Sequence, residues 1–563
     1  MIAPSQTAAP RRAPPFSLRG LDPRALLIFA VLVLYVLWPI LQVLGESVYA
    51  RGEGLTMQPW RDFIAEGHHV YAGRSLLVSG ASVILAGVFG TALAFLYFRL
   101  DFPGRTIFAG LTLLPFTLPP LVGVFAIWTL MGESGLFHKV TKLATEEGFW
   151  FEKGFGGVLL VHTYSMFVYF YVLVGGAVAS MDESQVEAAR DLGAGKLTTL
   201  LRVVLPQLAP AFAGASLLVF MTSMASFTAP FFYTAGRPVL TVGIQQALEE
   251  NETGLASADC VVLAICAAVF LFLVLRFETA IQGGTKGATR RRAKISSPLL
   301  RWSLSLFALM LTLVLVLPHI SMLYESLVKP GTGFIGVPVE YTLRNYSSIW
   351  EVEDAWRPFA NSLKSSAMAT LAVIIVALTS SWLVIRRDFR GKPLMRLLVM
   401  IPFAQPGTVI GIGLLWITRQ PNLLTFGAAW RGTLIILAVA YFIRMLPLAY
   451  RTIATGLARV PLELEGAARD LGASPRQAFI RITLPLLLPS IIAAATLTFA
   501  TAMGEFVSSI LLYGPGTEPV SVKIDQLRRG PGGIHLAAAY STILMAMITL
   551  TFVLFGRRSR GVE

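Results

Sequence analysis

The chain has 563 residues, of which 55% are hydrophobic and 14% are charged, and its formal net charge is +14 at pH 7. In an ordinary soluble domain about a quarter of the residues are charged. The polar residues that would cover the apolar surface of a water-soluble globule are therefore missing, and that class of protein is excluded. The composition indicates a protein that is embedded in a lipid bilayer.

Apolar runs of membrane-spanning length occur throughout the chain. A hydrocarbon core about 30 Å thick requires about 20 apolar residues per helix. The first half has six such runs, at residues 26–48, 75–98, 106–131, 157–180, 207–233 and 258–277. The second half has six more, at residues 302–327, 363–385, 395–418, 432–457, 486–512 and 536–556. The sequence therefore predicts an all-α polytopic membrane protein with twelve transmembrane helices.

The two halves are similar to each other in sequence. VEAARDLGAG begins at Val186 and GAARDLGASP begins at Gly466, so their shared core returns 279 positions later, from Gly193 to Gly472. RLDFPGR at 99–105 aligns in the same way with RRDFRGK at 386–392, at an offset of 287. These matches predict a tandem duplication. Each copy has an even number of spans, so we expect two parallel six-helix repeats related by an axis along the membrane normal.

The basic residues predict the orientation of the chain. Segments assigned to the cytoplasmic side contain 28 Lys and Arg residues and the outer segments contain 15, a positive-inside bias that places both termini in the cytoplasm. No basic patch is interleaved with aromatic residues, so nucleic acid is not expected as a partner. The predicted domains are a cytoplasmic tail (1–25), the first repeat (26–278), a flexible basic cytoplasmic linker (279–301), the second repeat (302–556) and a cytoplasmic tail (557–563).

Each copy of the shared segment Ala-Ala-Arg-Asp-Leu-Gly-Ala (188–194 and 467–473) is predicted to form a short helix on the cytoplasmic side. In the first copy Ser184 lies three residues before Glu187, the spacing of a capping box, and Gly193 is placed to end the helix. In the second copy Pro461 is predicted at the first helical position and Gly472 at the end. The sequence thus predicts two equivalent helical loops, one in each half.

A second short helix is predicted after each glycine, leading into the fifth span. In the second copy Ser474 and Pro475 are placed to begin it. One interpretation is that these loops are surface connectors whose charges are solvated. Two near-identical copies on one face, in a chain whose spans have diverged much further, favour a docking function instead. Two equivalent protrusions fit a partner with two equivalent sockets, which is itself a dimer.

The loops resemble the EAA loop of binding-protein-dependent ABC importer permeases. That pattern is Glu-Ala-Ala, three residues, Gly and, further on, a hydrophobic-Pro pair. The first-half matches are Glu187, Ala188, Ala189, Gly193, Leu205 and Pro206. The second-half matches are Ala467, Ala468, Gly472, Leu484 and Pro485, with Gly466 at the Glu position and Glu465 one residue earlier.

The resemblance covers essentially the whole chain and implies an assembly in a bacterial inner membrane. In that family the short helix of each loop sits in a groove on a separate cytoplasmic ATPase dimer, and an extracytoplasmic solute-binding protein delivers the solute. The chain has no Gly-x-x-x-x-Gly-Lys-Ser/Thr motif, so ATP and Mg²⁺ are expected in the ATPase, and this chain is expected to bind no cofactor and to be no enzyme. The implied ATPase-coupling residues are Glu187, Ala188, Ala189, Asp191, Gly193, Glu465, Ala467, Ala468, Asp470 and Gly472.

The solute is predicted from resemblance as well. Fused two-copy permeases of this length look most like the ferric-iron type, and MGEFVSSILLYGPG at 503–516 is similar to that group's fifth-span exit. Related permeases for thiamine, polyamines or aminoethylphosphonate remain alternatives. A different class, the ion-coupled secondary transporter, would favour more acidic residues at mid-membrane than Glu505. A membrane enzyme would have clustered His and carboxylate residues at one interface, which are not evident.

Arg444 and Glu505 are the candidate pathway residues. An ionisable group at the centre of a membrane helix costs about 2.5–3.5 kcal/mol on insertion scales, so function is the default interpretation. In one hypothesis the two side chains face the central cavity and pair in one transporter state. In the other each is buried locally, Arg444 against carbonyls freed by Pro447 and Glu505 near a helix break. The first half has Ser165 and Ser226 at the matching positions, so a pair would be asymmetric.

Two further features are interpreted as structural. His162 is expected to be a hydrogen-bonded residue rather than a metal ligand, and no metal site is predicted. Several prolines are predicted to break span three at matched sites in the two halves. They are Pro115, Pro119, Pro120, Pro402 and Pro406.

Overall fold

The computed structural model describes residues 23–50, 54–131, 154–181, 183–234, 236–281, 293–332, 338–389, 391–418, 420–530 and 533–559. Within these residues each half contains eleven helices in the same order. The predicted tandem duplication and all-α membrane fold are therefore confirmed. Residues 282–292 of the predicted linker lie outside the described residues; α-helix extends into its two ends, to Ile281 and from Pro298.

The first-half helices are α1 (Pro23–Glu46), α2 (Gln58–Ala65), α3 (His68–Arg99), α4 (Arg105–Leu111), α5 (Pro120–Met131), α6 (Phe155–Ala179), α7 (Glu183–Asp191), α8 (Lys196–Met224), α9 (Thr228–Tyr233), α10 (Leu240–Glu249) and α11 (Thr253–Ile281). The second-half helices are α12 (Pro298–Leu327), α13 (Arg344–Glu351), α14 (Arg357–Arg386), α15 (Lys392–Met400), α16 (Gly407–Ile417), α17 (Leu434–Arg459), α18 (Leu462–Asp470), α19 (Pro475–Met503), α20 (Val507–Leu512), α21 (Val520–Arg529) and α22 (Gly533–Ser559).

The remaining elements are short. Strands β1 (Tyr49–Ala50) and β2 (Gly54–Leu55) pair antiparallel, and β3 (Leu100–Asp101) pairs parallel with β4 (Ala293–Lys294). Three 3₁₀ turns occur at Leu114–Thr117, Ile401–Ala404 and Leu423–Thr425. Helices α1, α8 and α19 contain π-helical segments at Val33–Leu37, Leu200–Val204 and Phe479–Thr483, each just before a proline-containing turn.

Span three is broken in both halves, as the prolines predict. Among the residues that the structure describes, ten helices are long and apolar enough to cross a membrane, and two bent pairs bring the number to twelve if each pair is one span. The chain turns by 102° between α4 and α5 and by 106° between α15 and α16. Leu118 and Gln405 are extended at these turns because the following proline disfavours the helical conformation. The predicted breaks in span three are therefore confirmed.

The fifth span also ends earlier than predicted. The apolar runs 207–233 and 486–512 each contain a break, after Met224 and after Met503, followed by a short separate helix. A hydroxyl from the second helix after each break satisfies a carbonyl there: Thr241 of α10 donates to the carbonyl of Ser226 (2.8 Å), and Ser521 of α21 donates to the carbonyl of Glu505 (2.7 Å). Because hydrocarbon offers no hydrogen-bond partners, such internal donors are what permits a break inside a membrane.

The halves exchange their first helices. Ala25, Ile28, Leu32 and Val36 of α1 lie in a buried cluster whose other members belong to the second half. Ala308 and Leu315 of α12 lie in a cluster whose other buried members belong to the first half. Each repeat is thus clamped by a helix of the other, and the two repeats form one interlocked membrane domain.

Candidate functional site

Both predicted loops have the same backbone conformation. In the first, α7 ends just before Gly193, whose φ is +83°; in the second, α18 ends just before Gly472, whose φ is +88°. Residues with a Cβ rarely adopt this left-handed conformation. A Cβ at either glycine would meet no atom within 4 Å, so the requirement for glycine comes from the backbone alone.

The helix ends are closed by matched hydrogen bonds. The N–H of Ala194 donates to the carbonyl of Ala189 (3.0 Å), and the N–H of Gly193 donates to the carbonyl of Arg190 (2.8 Å). At the end of α18, the N–H of Ala473 donates to the carbonyl of Ala468 and the N–H of Gly472 donates to the carbonyl of Arg469, both over 2.9 Å. This is the Schellman arrangement, and it confirms the prediction that the two glycines end the helices.

Helix α7 begins at Glu183, one residue before Ser184, and the capping box at Ser184 stays a prediction. The predicted start of the second loop helix is wrong. Helix α18 begins at Leu462, because the ψ of 137° at Pro461 leaves the proline outside the helix as its N-cap. The predicted cap at Ser474 is confirmed. The Ser474 hydroxyl accepts a hydrogen bond from the backbone N–H of Gln477, and the side-chain oxygen of Gln477 accepts one from the backbone N–H of Ser474.

Most of the predicted coupling residues point to solvent. Glu187, Ala188, Asp191, Ala467 and Asp470 are exposed, and Ala189 and Ala468 are half-buried. The leucine of each repeated segment, absent from the predicted coupling residues, is also exposed: Leu192 is 89% exposed and Leu471 is 90% exposed. The recurrence of leucine at the 279-residue offset is the sequence signal that could have identified these two residues. The two exposed leucines occupy equivalent positions, one on each loop, where they are accessible to a protein partner.

Glu465 is the exception among these residues. Its side chain is buried, and its Oε1 lies 3.1 Å from Nε of Arg386. The hydroxyl of Thr483 donates to the same oxygen over 2.9 Å. Since Glu187 of the first loop is exposed, the carboxylates of the two loops have different environments.

Arg444 and Glu505 lie side by side in the second half. Nε of Arg444, on α17, is 3.1 Å from Oε2 of Glu505, which occupies the break between α19 and α20. The Glu505 side chain is 5% exposed and the Arg444 side chain is 28% exposed. The arginine also packs closely on Gly407, the first residue of α16, where any side chain would collide with its guanidinium. The pair therefore joins the fourth span, the broken fifth span and the bend of the third span.

The first half places a neutral cluster at the corresponding site. His162 is buried, with Nδ1 2.9 Å from the hydroxyl of Ser82 and Nε2 2.9 Å from the hydroxyl of Ser226. Ser165, which matches Arg444, donates to the carbonyl of Val161 in its own helix. The prediction that His162 is hydrogen-bonded is confirmed. Within the part of the chain that the structure describes, no three His, Cys, Asp or Glu side chains are grouped to hold a metal ion.

The halves meet again beyond the broken fifth spans. Asp525 on α21 is buried and pairs with Arg528 (3.1 Å) and Arg529 (2.6 Å). The guanidinium carbon of Arg528 lies 4.1 Å from the ring centre of Phe232, and that of Arg529 lies 5.0 Å from the ring centre of Phe231. Both rings belong to α9 of the first half. Cation–π contacts therefore connect the two repeats at this level.

Comparison with known sequences identifies one family for both halves. The family described as "Binding-protein-dependent transport system inner membrane component" matches residues 86–286 and 369–562. The two matched segments cover each repeat from its second span onward, and both contain the glycine-ended loop and the site around the fifth span. The internal duplication thus corresponds to two copies of one family unit.

Individual relatives differ in how much of the chain they match. A ferric transport system permease protein of Actinobacillus pleuropneumoniae is 26% identical over 548 residues, 94% of this chain and 76% of the relative. A molybdenum transport system permease protein of Escherichia coli is 35% identical over 210 residues, 35% of this chain and 90% of the relative. Among solved structures, a chain of a bacterial ABC transporter that imports alginate is 17% identical, with a TM-score of 0.38, covering 47% of this chain and 98% of its own.

Proposed function

This chain belongs to the family of binding-protein-dependent transport system inner membrane components, and we propose that it forms the solute pathway of an importer driven by a separate ATPase dimer. The observation that carries the proposal is the pair of glycine-ended loops, which present Leu192 and Leu471 to solvent at equivalent positions. A two-fold symmetric ATPase offers two equivalent grooves for two such loops. The protein is a multi-pass inner-membrane permease, and its energy would come from outside the chain.

The proposed assembly has two kinds of protein partner. A cytoplasmic ABC ATPase homodimer would bind ATP and Mg²⁺ and contact both loops, which requires both loops and both termini to be cytoplasmic. A solute-binding protein would deliver solute to the opposite face, as the family description implies. Membrane lipid surrounds the apolar spans. This chain contributes the path and the coupling surfaces, with no cofactor of its own.

The Arg444–Glu505 pair is the proposed polar element of the pathway. The pair lies at the bend of span three and the break of span five, where the helices are interrupted. In the proposed cycle these segments rearrange between states. A charged pair inside a membrane is costly and is retained where it serves transport. We expect the pair to be closed in one state and separated or rearranged in another.

Ferric iron is the proposed solute. The supporting observation is that a ferric permease matches 94% of this chain, whereas the molybdenum permease matches a single repeat-sized segment, 35% of it. Thiamine, polyamine and aminoethylphosphonate permeases remain alternatives of the same type. The different-class alternative is an ion-coupled secondary transporter.

Uptake into membrane vesicles tests the solute. The chain is produced with its candidate ATPase and supplied in turn with binding proteins loaded with ferric iron, thiamine, a polyamine, molybdate or aminoethylphosphonate. We expect ATP-dependent accumulation of iron with the ferric binding protein and background accumulation with the others. Accumulation of a different solute, with no iron uptake, would contradict the ferric assignment while leaving the importer assignment intact.

The contact between Arg528 and Phe232 is expected to restrain the two halves from separating. A cation–π contact contributes about 0.5–2 kcal/mol, so losing it shifts a conformational equilibrium by about 2- to 30-fold. We therefore expect Arg528→Ala to raise ATP hydrolysis in the absence of binding protein about threefold. Lys523→Ala, which removes the same charge from the same helix, is the matched control and should leave hydrolysis at the wild-type rate. An equal rise in both variants would attribute the effect to net charge and not to the contact with Phe232.

A further inference from the structure

A basic recess lies at the end of the membrane domain opposite the glycine-ended loops. Helix α19 runs from the second loop to the break before α20, so α21 lies at this far end. The recess has a volume of about 940 Å³ and is formed by the chain after α12, the start of α13 and one side of α21. Its charged lining residues are Lys329, Glu340, Arg344 and Lys523, which give it a net positive charge.

The backbone around the recess is held together by hydrogen bonds. The side chain of Asn345, on α13, is buried and donates to the carbonyls of Ser326 and Val328, both over 2.9 Å. The N–H of Lys329 donates to the carbonyl of Glu340 over 2.9 Å. The end of α12 and the start of α13 are thus fixed to each other. An incoming partner would therefore have to order side chains but not backbone, which lowers the cost of binding.

Two of the three cations have no carboxylate of this chain beside them. Lys329 pairs with Glu340 over 2.6 Å. No ion pair of the described residues involves Arg344 or Lys523. The single carboxylate of α21, Asp525, is buried and pairs with two arginines of the same helix. The recess therefore presents two positive charges that are available to an anion.

The start of α13 adds a further attraction for an anion. Arg344 is the first residue of that helix, and the first turn has no acidic residue. The partial positive charge at a helix N-terminus favours an anion and disfavours a cation. A carboxylate in the recess would be attracted by Arg344, by Lys523 and by the dipole of α13.

The recess faces away from the Arg444–Glu505 pair. Ser521 of α21 donates its hydroxyl to the carbonyl of Glu505, whereas Lys523 and Gln526 line the recess. At about 100° per residue, these two positions lie about 200° and 140° around the helix from Ser521. The recess is therefore on the outside of α21 and separate from the proposed pathway.

A protein with several carboxylates fits the recess better than a free anion. Arg344 is exposed and Lys523 is half-buried. Ion pairs of exposed charges are individually weak, because water solvates both partners. Carboxylates that a folded surface holds in place bind together, and complementary charge also speeds association. In the proposed importer the loops face the cytoplasm, so the protein that reaches the opposite end is the solute-binding protein.

We propose that this recess is a docking site for an acidic projection of the solute-binding protein, with Arg344 and Lys523 as its anchoring charges. The proposal rests on the importer function proposed above and adds the chemistry of that partner's contact surface. Carboxylates of the binding protein supply counter-charges to both cations. The site sets the affinity of docking and takes no part in moving the solute.

The affinity of the solute-loaded binding protein for the complete permease–ATPase complex tests the site. The complex is placed in nanodiscs of phosphatidylcholine, which has no net charge, and Kd is measured at low and high salt. We expect Arg344→Gln with Lys523→Gln to raise Kd about fivefold or more at low salt, since two exposed ion pairs are lost. High salt should weaken binding to the wild type and reduce the difference between the two.

The matched control is Arg61→Gln with Arg431→Gln, which removes two exposed charges from the same end of the domain but outside the recess. This control should keep the wild-type Kd, and Arg344→Glu with Lys523→Glu should weaken binding more than the Gln pair does. An unchanged Kd in the Gln pair, or an equal rise in the control, would overturn the docking site. If no loaded binding protein binds to the wild-type complex or drives uptake through it, it is the importer function that fails.

Discussion

Replacing both Gly193 and Gly472 with Val is expected to lower ATP-driven uptake at least tenfold, whereas replacing both with Asn is expected to preserve most of it. Both glycines have a positive φ, +83° and +88°. A residue with a Cβ loses about 1–2 kcal/mol in this conformation, and a β-branched residue is a strong outlier there, while Asn tolerates it. Because the space around each Cβ position is open, the difference between Val and Asn reports backbone conformation and not a steric clash.

The glycine prediction has internal controls. Each single Val variant changes one loop only, so each should reduce uptake less than the double variant. Binding of the chain to its ATPase, measured by co-purification from membranes, should fall in parallel with uptake. Unchanged ATPase binding and unchanged uptake in the double Val variant would mean that the shape of the two loops does not matter for coupling.

Glu505→Gln is expected to reduce uptake about tenfold or more without reducing the amount of protein in the membrane. The change leaves the Arg444 guanidinium without its counter-charge, 3.1 Å away. Breaking a fully buried pair costs about 3–5 kcal/mol, and the 28% exposure of the Arg444 side chain reduces that figure here. The effect on transport should exceed the effect on stability, because in the proposed transport cycle the pair joins the segments that rearrange.

Two further variants make this prediction specific. Arg451→Gln removes a charge from the same helix at an exposed position and should leave uptake near the wild-type level. The double variant Arg444→Gln with Glu505→Gln restores neutrality without restoring the ion pair. We expect low uptake from this double variant, since a polar pathway requires the charges themselves. Full uptake from the double variant would assign the pair a local structural role instead.

The sequence predicted the elements whose signals are local. Apolar runs of sufficient length located the spans, prolines located the breaks in span three, and the recurring Gly193 and Gly472 located the ends of the loop helices. Each of these depends on the chemistry of a residue and its immediate neighbours. The order of eleven helices in each half follows from the duplication, which is also visible in the sequence alone.

The sequence did not predict features that depend on distant packing. The exchange of α1 and α12 between the halves leaves no pattern, because a helix that is apolar on all sides shows no preferred face. The break after Met503 depends on the hydroxyl of Ser521, which comes from a separate helix. Glu465 was predicted from its position in the repeated loop, whereas its partner Arg386 lies 79 positions away and has no local signal in the sequence. The one indication of a buried polar contact was the presence of Glu465 in the second half where the first half has Val186.

Uptake with a controlled energy source tests the central claim most directly. The chain is reconstituted with its ATPase, loaded binding protein is supplied on the outer side, and either ATP with Mg²⁺ or an ion gradient is supplied as the driving force. We predict accumulation only when the ATPase, ATP and Mg²⁺ are all present, and no loss when the ion gradient is dissipated. Accumulation without the ATPase, driven by the gradient alone, would contradict the account and identify the chain as a secondary transporter.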